Sequence, residues 1–208
     1  MHKTPRLARL FRDSAALALQ DPRLLAEDHT RSLEYFRAEL SDANDASPPR
    51  NRVRRWVHMV RSVDAFYRDA GRLPRENNRV PKSEISPQEQ RLADWLRYQR
   101  RPATLSHHCE YQRRRLECLP SFSWDPMGDQ WDTQLARVTE FVDEFHRLPR
   151  YRAIETEERN IAAWVTRQRR FMRLGTLQAD RISELRELGR DIGPDGANST
   201  SPFPSLDR

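Results

Sequence analysis

Two arginine-rich segments recur along this chain of 208 residues. Each ends in a Gln-Arg-Arg triplet, at 99–101 and 168–170, and each is preceded by an Arg-Leu-Pro-Arg turn, at 72–75 and 147–150. Arginine holds a rigid fork of donors that suits phosphate oxygens and guanine edges. The sequence therefore predicts contacts to a polyanion. The candidate contact residues are Arg72, Arg75, Arg97, Arg100, Arg101, Arg147, Arg150, Tyr151, Arg152, Arg167, Arg169 and Arg170.

The charge of the chain favours the same kind of partner. The formal net charge is +6, and every basic residue except Lys3 and Lys82 is arginine. A positive surface attracts DNA, RNA and anionic lipid. Residues 50–115 carry 16 arginines and one lysine against seven acids, whereas residues 131–190 carry 12 arginines against ten acids. We therefore expect the first of these regions to supply most of the electrostatic affinity.

Motifs for catalysis are missing from the sequence. It has no G-x4-G-K-[ST] phosphate loop, no G-x-S-x-G elbow and no H-E-x-x-H pair. His107, His108, Cys109 and Cys118 could suggest zinc, but they lack the paired spacing of a tetrahedral site. The favoured alternative is a helix start with two exposed histidines and two free thiols. We expect a protein that is not an enzyme and uses no cofactor or metal.

An internal repeat organises the arginine-rich segments. An offset of 75 residues aligns the two Arg-Leu-Pro-Arg turns and the aromatic pairs Trp56 with Trp131 and Phe66 with Phe141. An offset of 69 then aligns the Gln-Arg-Arg triplets and the pair Trp95 with Trp164. The first copy therefore carries six extra residues between Arg75 and Glu89, in a stretch whose asparagines and prolines predict a loop.

Each copy reads as three helices, with apolar residues at steps of three and four. The first helix ends near the Leu-Pro pair, and Asp129 is the expected N-cap in the second copy. In the first copy Ser86 and Glu89 predict a capping box at the start of the second helix. Four tryptophans, Trp56, Trp95, Trp131 and Trp164, face the predicted core. Gly189 is expected to cap the last helix.

The expected fold is all-α, with two tandem three-helix bundles preceded by an N-terminal helical segment. The predicted divisions are an N-terminal segment with its linker at 1–46, copy one at 47–125, copy two at 126–190 and a disordered tail at 191–208. The N-terminal helices either pack on copy one or pair with a protein partner. No apolar run is long enough for a membrane span or a signal core, so we expect a cytoplasmic protein without membrane contact.

The combined motifs resemble the helicase-associated domain family. The two copies read G-R-L-P-R…E-Q-R-L-A-D-W-L-R-Y-Q-R-R and H-R-L-P-R…E-E-R-N-I-A-A-W-V-T-R-Q-R-R, and the resemblance covers roughly residues 52–190. Members are short three-helix modules, often in tandem, beside bacterial helicase cores or in stand-alone proteins. The resemblance implies nucleic-acid binding. The sequence departs from helicases themselves because it has no helicase core, and copy two has His146 where copy one has a glycine.

The leading expectation is a DNA-binding regulator or accessory factor, with double-stranded DNA favoured over a single strand and DNA favoured over RNA. A single-stranded target would give Tyr151 a base to stack on. The alternative is a protein-interaction module that docks on a helicase, a polymerase or another enzyme, with the positive charge serving solubility.

Overall fold

The computed structural model describes residues 5–41, 51–75 and 85–190, and all regular structure in these ranges is helical, which confirms the all-α expectation. The α-helices are α1 Pro5–Leu17, α2 Glu27–Ser41, α3 Arg52–Ala70, α4 Pro87–Gln99, α5 Pro102–Leu105, α6 Glu110–Glu117, α7 Pro126–Phe145, α8 Thr156–Arg173 and α9 Ala179–Arg190. None of these helices combines the length and apolar character that a membrane crossing requires. The tail at 191–208, nearly all of the expected linker and most of the inserted loop lie outside the described residues.

The chain divides into two compact units between Trp124 and Asp125. Unit 1 contains α1 to α6, and unit 2 contains α7 to α9. Within unit 1, α1 and α2 pack against α6, and α2 also packs against α3. The N-terminal helices therefore share a core with the first copy of the repeat, which is one of the two arrangements expected for them.

Aromatic side chains attach the N-terminal helices α1 and α2 to the rest of unit 1. The ring of Tyr35 on α2 meets Trp56 edge to face at 5.3 Å, and Phe36 lies 5.9 Å from Tyr111 on α6. Trp56 and Val57 on α3 are both buried, although consecutive residues lie about 100° apart around a helix. Burial on more than one side means that α3 is covered by α2 as well as by α4.

A buried arginine completes the attachment. Arg115 on α6 is 1% exposed, and its Nε lies 2.9 and 3.1 Å from the two carboxylate oxygens of Glu39 on α2. Its guanidinium also pairs with Asp64 on α3, and the hydroxyl of Tyr111 donates to Glu39 at 2.8 Å. Burial alone would lower the pKa of Arg115, but the two carboxylates outweigh it and raise that pKa. The cation therefore stays charged and links three helices.

Unit 2 differs from the expected helix boundaries at two points. The N-cap of α7 is Asp125, whose Oδ1 accepts from the backbone N of Gly128 at 2.9 Å, so the expectation of Asp129 is wrong. Pro126 explains the earlier start, because proline suits the first helical position. The last helix continues through Gly189 to Arg190, so this glycine is not its cap.

The prediction that four tryptophans face the core is confirmed in both units. Trp56, Trp131 and Trp164 are buried, and Trp95 is half-buried against the core of unit 1. The rings pair within each unit, with 6.0 Å between the centroids of Trp56 and Trp95 and 5.0 Å between those of Trp131 and Trp164. These side chains are therefore packing elements of the two cores.

Candidate nucleic-acid interface

The Arg-Leu-Pro-Arg turn of unit 1 is fastened to the start of α4 by Glu89. Arg72 donates through Nη1 and Nη2 to the two carboxylate oxygens, at 2.6 and 3.3 Å, and the backbone N of Arg75 donates to Oε1 at 3.0 Å. Ser86 caps α4, as predicted, by accepting from the backbone N of Glu89 at 3.1 Å. The Glu89 carboxylate binds Arg72 instead of completing a capping box, and this hydrogen bonding lowers its pKa.

Unit 2 repeats the same arrangement. Arg147 donates to both oxygens of Glu158 at 2.6 and 3.2 Å, and the backbone N of Arg150 donates to Oε1 at 2.7 Å. The bond from Arg147 lowers the pKa of Glu158. The guanidinium of Arg147 also lies over the ring of Phe141, 4.9 Å from its centroid. In both turns the side chain of the first arginine is therefore engaged in contacts within its own unit.

These contacts separate the arginines of the turns into two groups. The side chains of Arg72 and Arg147 are held by internal carboxylates, whereas the side chains of Arg75 and Arg150 are exposed and the same carboxylates bind their backbone N–H groups. Contact with nucleic acid stays a prediction for all four. The exposed side chains of Arg75 and Arg150 are available to bind nucleic acid without any loss of the contacts that hold the turns.

The predicted arginines of α4 also divide. Arg97 is exposed and pairs with Asp94 at 2.9 Å. Arg100 is half-buried, donates to the carbonyl of Ser123 at 2.6 Å and lies over a neighbouring ring, so it does not point outward as expected. Arg101 is exposed, and its guanidinium lies 5.5 Å from the centroid of Tyr98. Helix α4 ends at Gln99, so Arg100 and Arg101 lie in the turn that follows it, whereas Arg97 lies on the helix.

Along α8, three exposed arginines follow one another at three-residue spacing. Arg167 and Arg170 were predicted from the sequence, and Arg173 extends the row by one turn. None of the three forms an ion pair with a residue of the described ranges. Arg169 was also expected to point outward, but it is half-buried and its burial lowers its pKa. The row of exposed arginines on α8 therefore includes Arg173 and excludes Arg169.

The turn before α8 presents two large side chains to solvent. Tyr151 is exposed, as are Arg150 and Arg152 on either side of it, and Ile154 is 95% exposed. Arg159 donates to the carbonyl of Ile154 at 2.9 Å, which holds this end of the turn against α8. The sequence did not single out Ile154, because a lone isoleucine gives no sign of its exposure.

A cleft of about 420 Å³ lies in unit 1 where the start of α3 faces the end of α4. Its rim carries Arg52 and Arg55 from α3, and Trp95 and Tyr98 line its α4 side. Both arginines are exposed and form no ion pair with any residue in the part of the chain described. This group was not predicted from the sequence, although Arg52 and Arg55, three residues apart and just before Trp56, were a usable signal.

A hydrogen-bonded triad lines the inner part of the cleft. Gln99 Oε1 lies 2.9 Å from the indole Nε1 of Trp56 and 3.0 Å from His108 Nε2. The indole can only donate, so Oε1 is the acceptor and His108 must donate through Nε2. Burial lowers the pKa of His108 to about 4, which keeps the ring neutral near pH 7. Its Nδ1 is a buried acceptor without a partner among the described residues.

His108 and Cys109 also correct an expectation about the helix start. His108 is 4% exposed and Cys109 is fully buried, so only His107 matches the prediction of exposed histidines. Cys109 and Cys118 are free thiols, and burial raises the pKa of both. Within the described ranges, no three histidine, cysteine or acidic side chains are grouped as a metal site would need.

The geometry defines an all-α protein of two compact helical units whose surfaces carry exposed arginines. Residues 128–192 match the family model of the helicase associated domain, which confirms the predicted resemblance for this part of the chain. The resemblance of unit 1 rests on its sequence repeat and on the shared Arg–Glu contact at its turn. No curated protein and no solved structure matches the chain significantly.

Proposed function

We propose that this protein binds nucleic acid, with double-stranded DNA as the favoured target, and acts as a regulator or accessory factor without catalysis. The observation that carries the proposal is the row of exposed arginines on α8, Arg167, Arg170 and Arg173. Their guanidinium groups have no ion-pair partner among the described residues. Each is therefore available to a phosphate oxygen or a guanine edge.

The dimensions of α8 suit a duplex. A helix with its side chains is about 10–12 Å across, and the major groove of B-DNA is about 12 Å wide. The 18 residues of α8 span about 27 Å, so arginines three residues apart can meet successive phosphates or bases. The exposed arginines of unit 1, Arg52, Arg55 and Arg101, add a second basic surface and supply the larger share of the electrostatic affinity.

Salt dependence of duplex binding tests the proposal. We expect the affinity for a random duplex, measured by fluorescence anisotropy, to fall steeply with salt, and the slope to drop by about 0.9 for each phosphate contact removed. Two variants replace three arginines by glutamine, at 167, 170 and 173 or at 52, 55 and 101. The charge-matched control replaces Arg6, Arg9 and Arg12 on α1, which are all exposed.

The two interface variants should bind more weakly and show shallower slopes, with the larger loss for the unit 1 variant. The α1 control should keep the wild-type slope. An equal loss in all three variants would reduce the effect to net charge and contradict the proposed surfaces. Duplex DNA, single-stranded DNA and RNA of one sequence, compared in one gel-shift panel, decide the target class.

A protein-docking role is the second candidate. It is favoured by Leu19 and Leu24, which are almost fully exposed in the segment that joins α1 to α2. Exposed leucines within one short segment are a feature of protein contacts more than of phosphate binding. If no nucleic acid binds at about 50 mM salt, the arginine surfaces serve solubility, and docking on an enzyme such as a helicase or polymerase becomes the leading function.

A further inference from the structure

We infer that the cleft between α3 and α4 receives one unpaired nucleotide of the bound strand, with its base against Tyr98 and its phosphate on Arg52 and Arg55. The inference rests on the proposed function, since it names the part of a nucleic acid that this surface recognises. It predicts a preference for duplexes that end in a single-stranded overhang.

The side chains of the cleft suit a base and a phosphate together. Tyr98 is 51% exposed with the Arg101 guanidinium 5.5 Å from its ring centroid, so part of the ring remains open to a planar partner, and Trp95 adds a second aromatic surface. Stacking on such rings is how proteins hold unpaired bases of any sequence. Arg52 and Arg55 supply charge at the rim, and a volume of about 420 Å³ falls within the range of ordinary small-ligand sites.

The inner wall of the cleft is polar and fixed in place. Gln99 is held by Trp56 and His108, as described above, so this wall cannot easily collapse into the cleft. The groups of this wall are an amide, an indole and an imidazole. A ring with hydrogen-bonding groups, such as a nucleobase, therefore suits this wall better than a purely apolar ligand.

Unit 2 lacks the same combination of side chains. Under the offsets of the repeat, Arg52 and Arg55 correspond to Met127 and Gln130, and Tyr98 corresponds to Arg167. Both the aromatic platform and the two rim arginines are thus replaced. The recognition of an unpaired nucleotide is assigned to unit 1, and Arg167 provides a matched position for a control.

The experiment compares a blunt duplex with the same duplex carrying a three-nucleotide overhang, in both 5′ and 3′ forms. A 2-aminopurine in the overhang reports stacking through loss of fluorescence. We expect the full-length protein to bind one overhang form about tenfold more tightly than the blunt duplex and to quench the probe. Tyr98→Ala should remove both effects, whereas Tyr98→Phe, which keeps the ring, should retain them.

Two controls separate the cleft from general binding. Arg167→Ala should weaken binding to blunt and overhang duplexes by the same factor, and circular dichroism should show that Tyr98→Ala keeps the wild-type helix content. If the blunt duplex binds but the overhang gives neither extra affinity nor quenching, the cleft inference is overturned and the proposed function stands. If neither duplex binds, both are overturned. Equal affinity for free 2-aminopurine deoxyribonucleoside monophosphate would make the cleft a mononucleotide site and overturn the assignment to a strand.

Discussion

Replacement of Arg115 by methionine tests how the N-terminal helices are attached to unit 1. The guanidinium is almost completely buried and is shared by Glu39 on α2 and Asp64 on α3. Methionine fills a similar volume but carries no charge. The variant therefore leaves the 3% exposed Glu39 carboxylate with the Tyr111 hydroxyl as its closest remaining donor.

The magnitude follows from what remains around Glu39. Removal of one partner from a buried ion pair costs about 3–5 kcal/mol, because the other charge stays buried. Arg61 Nε lies 4.0 Å from Glu39 Oε1 and compensates part of the loss, and Asp64 is 21% exposed and can be hydrated. We therefore expect about 3 kcal/mol, which corresponds to a decrease of about 1–3 M in the urea midpoint of unit 1.

Urea denaturation together with hydrogen exchange measured by mass spectrometry gives the readout. Backbone protection should fall in α2 and α6, whereas α8 should exchange as in the wild type because it belongs to the other unit. The double variant Arg115→Met with Glu39→Gln removes the uncompensated charge and should regain at least about 1 kcal/mol. A loss below about 1 kcal/mol in the single variant, or no recovery in the double variant, would refute the buried ion-pair explanation.

Three further predictions concern the turns and the cleft. His146 has a left-handed φ of 50° at the position that Gly71 holds in unit 1. His146→Gly should therefore raise the free energy of unfolding by about 1 kcal/mol and increase the urea midpoint, and a decrease in the midpoint would contradict this. Arg72→Lys and Arg147→Lys keep the charge but lose the fork that binds the glutamate, so each should lower the urea midpoint while the affinity for DNA at fixed salt stays constant; a weaker affinity of the folded variant would reveal a contact of that arginine with DNA. The pKa of folded His108 is about 4 against a usual 6.5, so the unfolded chain takes up the proton first and stability should fall as pH drops from 6.5 to 4; His108→Leu should flatten that profile, and an unchanged profile would refute the assignment.

Local patterns in the sequence predicted the helices and the core tryptophans. Trp56 and Trp131 recur at one offset within apolar steps of three and four, and such steps depend only on neighbouring residues of one helix. Ser86 was recognised as a cap for the same reason. Boundaries were less predictable where two acids compete, as with Asp125 and Asp129, because either can accept a backbone N–H at a helix start.

Contacts between distant residues could not be predicted from these patterns. Arg115 and Glu39 are 76 residues apart, and nothing in either local sequence distinguishes a buried ion pair from a solvated one. The partner of Glu89 was missed because a capping box and a contact to Arg72 need the same residue type. The cleft was missed because it combines residues of α3 and α4 that are about 45 positions apart.

The structure also gives the reason why the N-terminal helices accompany copy one. Val57 and Tyr111, which are buried in unit 1, correspond under the repeat offsets to the exposed residues Asp132 and Asp180 in unit 2. Arg115 itself corresponds to Glu184, which accepts a hydrogen bond from the Trp131 indole at 2.6 Å. If a pair of helices like α1 and α2 packed on unit 2 in the same way, the carboxylate of Glu184 would repel the counterpart of Glu39. Asp132 and Asp180 would also have to be buried under that pair. The two copies have therefore kept the turn and core of one module while their outer faces have become specific, one for an attached helical pair and the other for solvent.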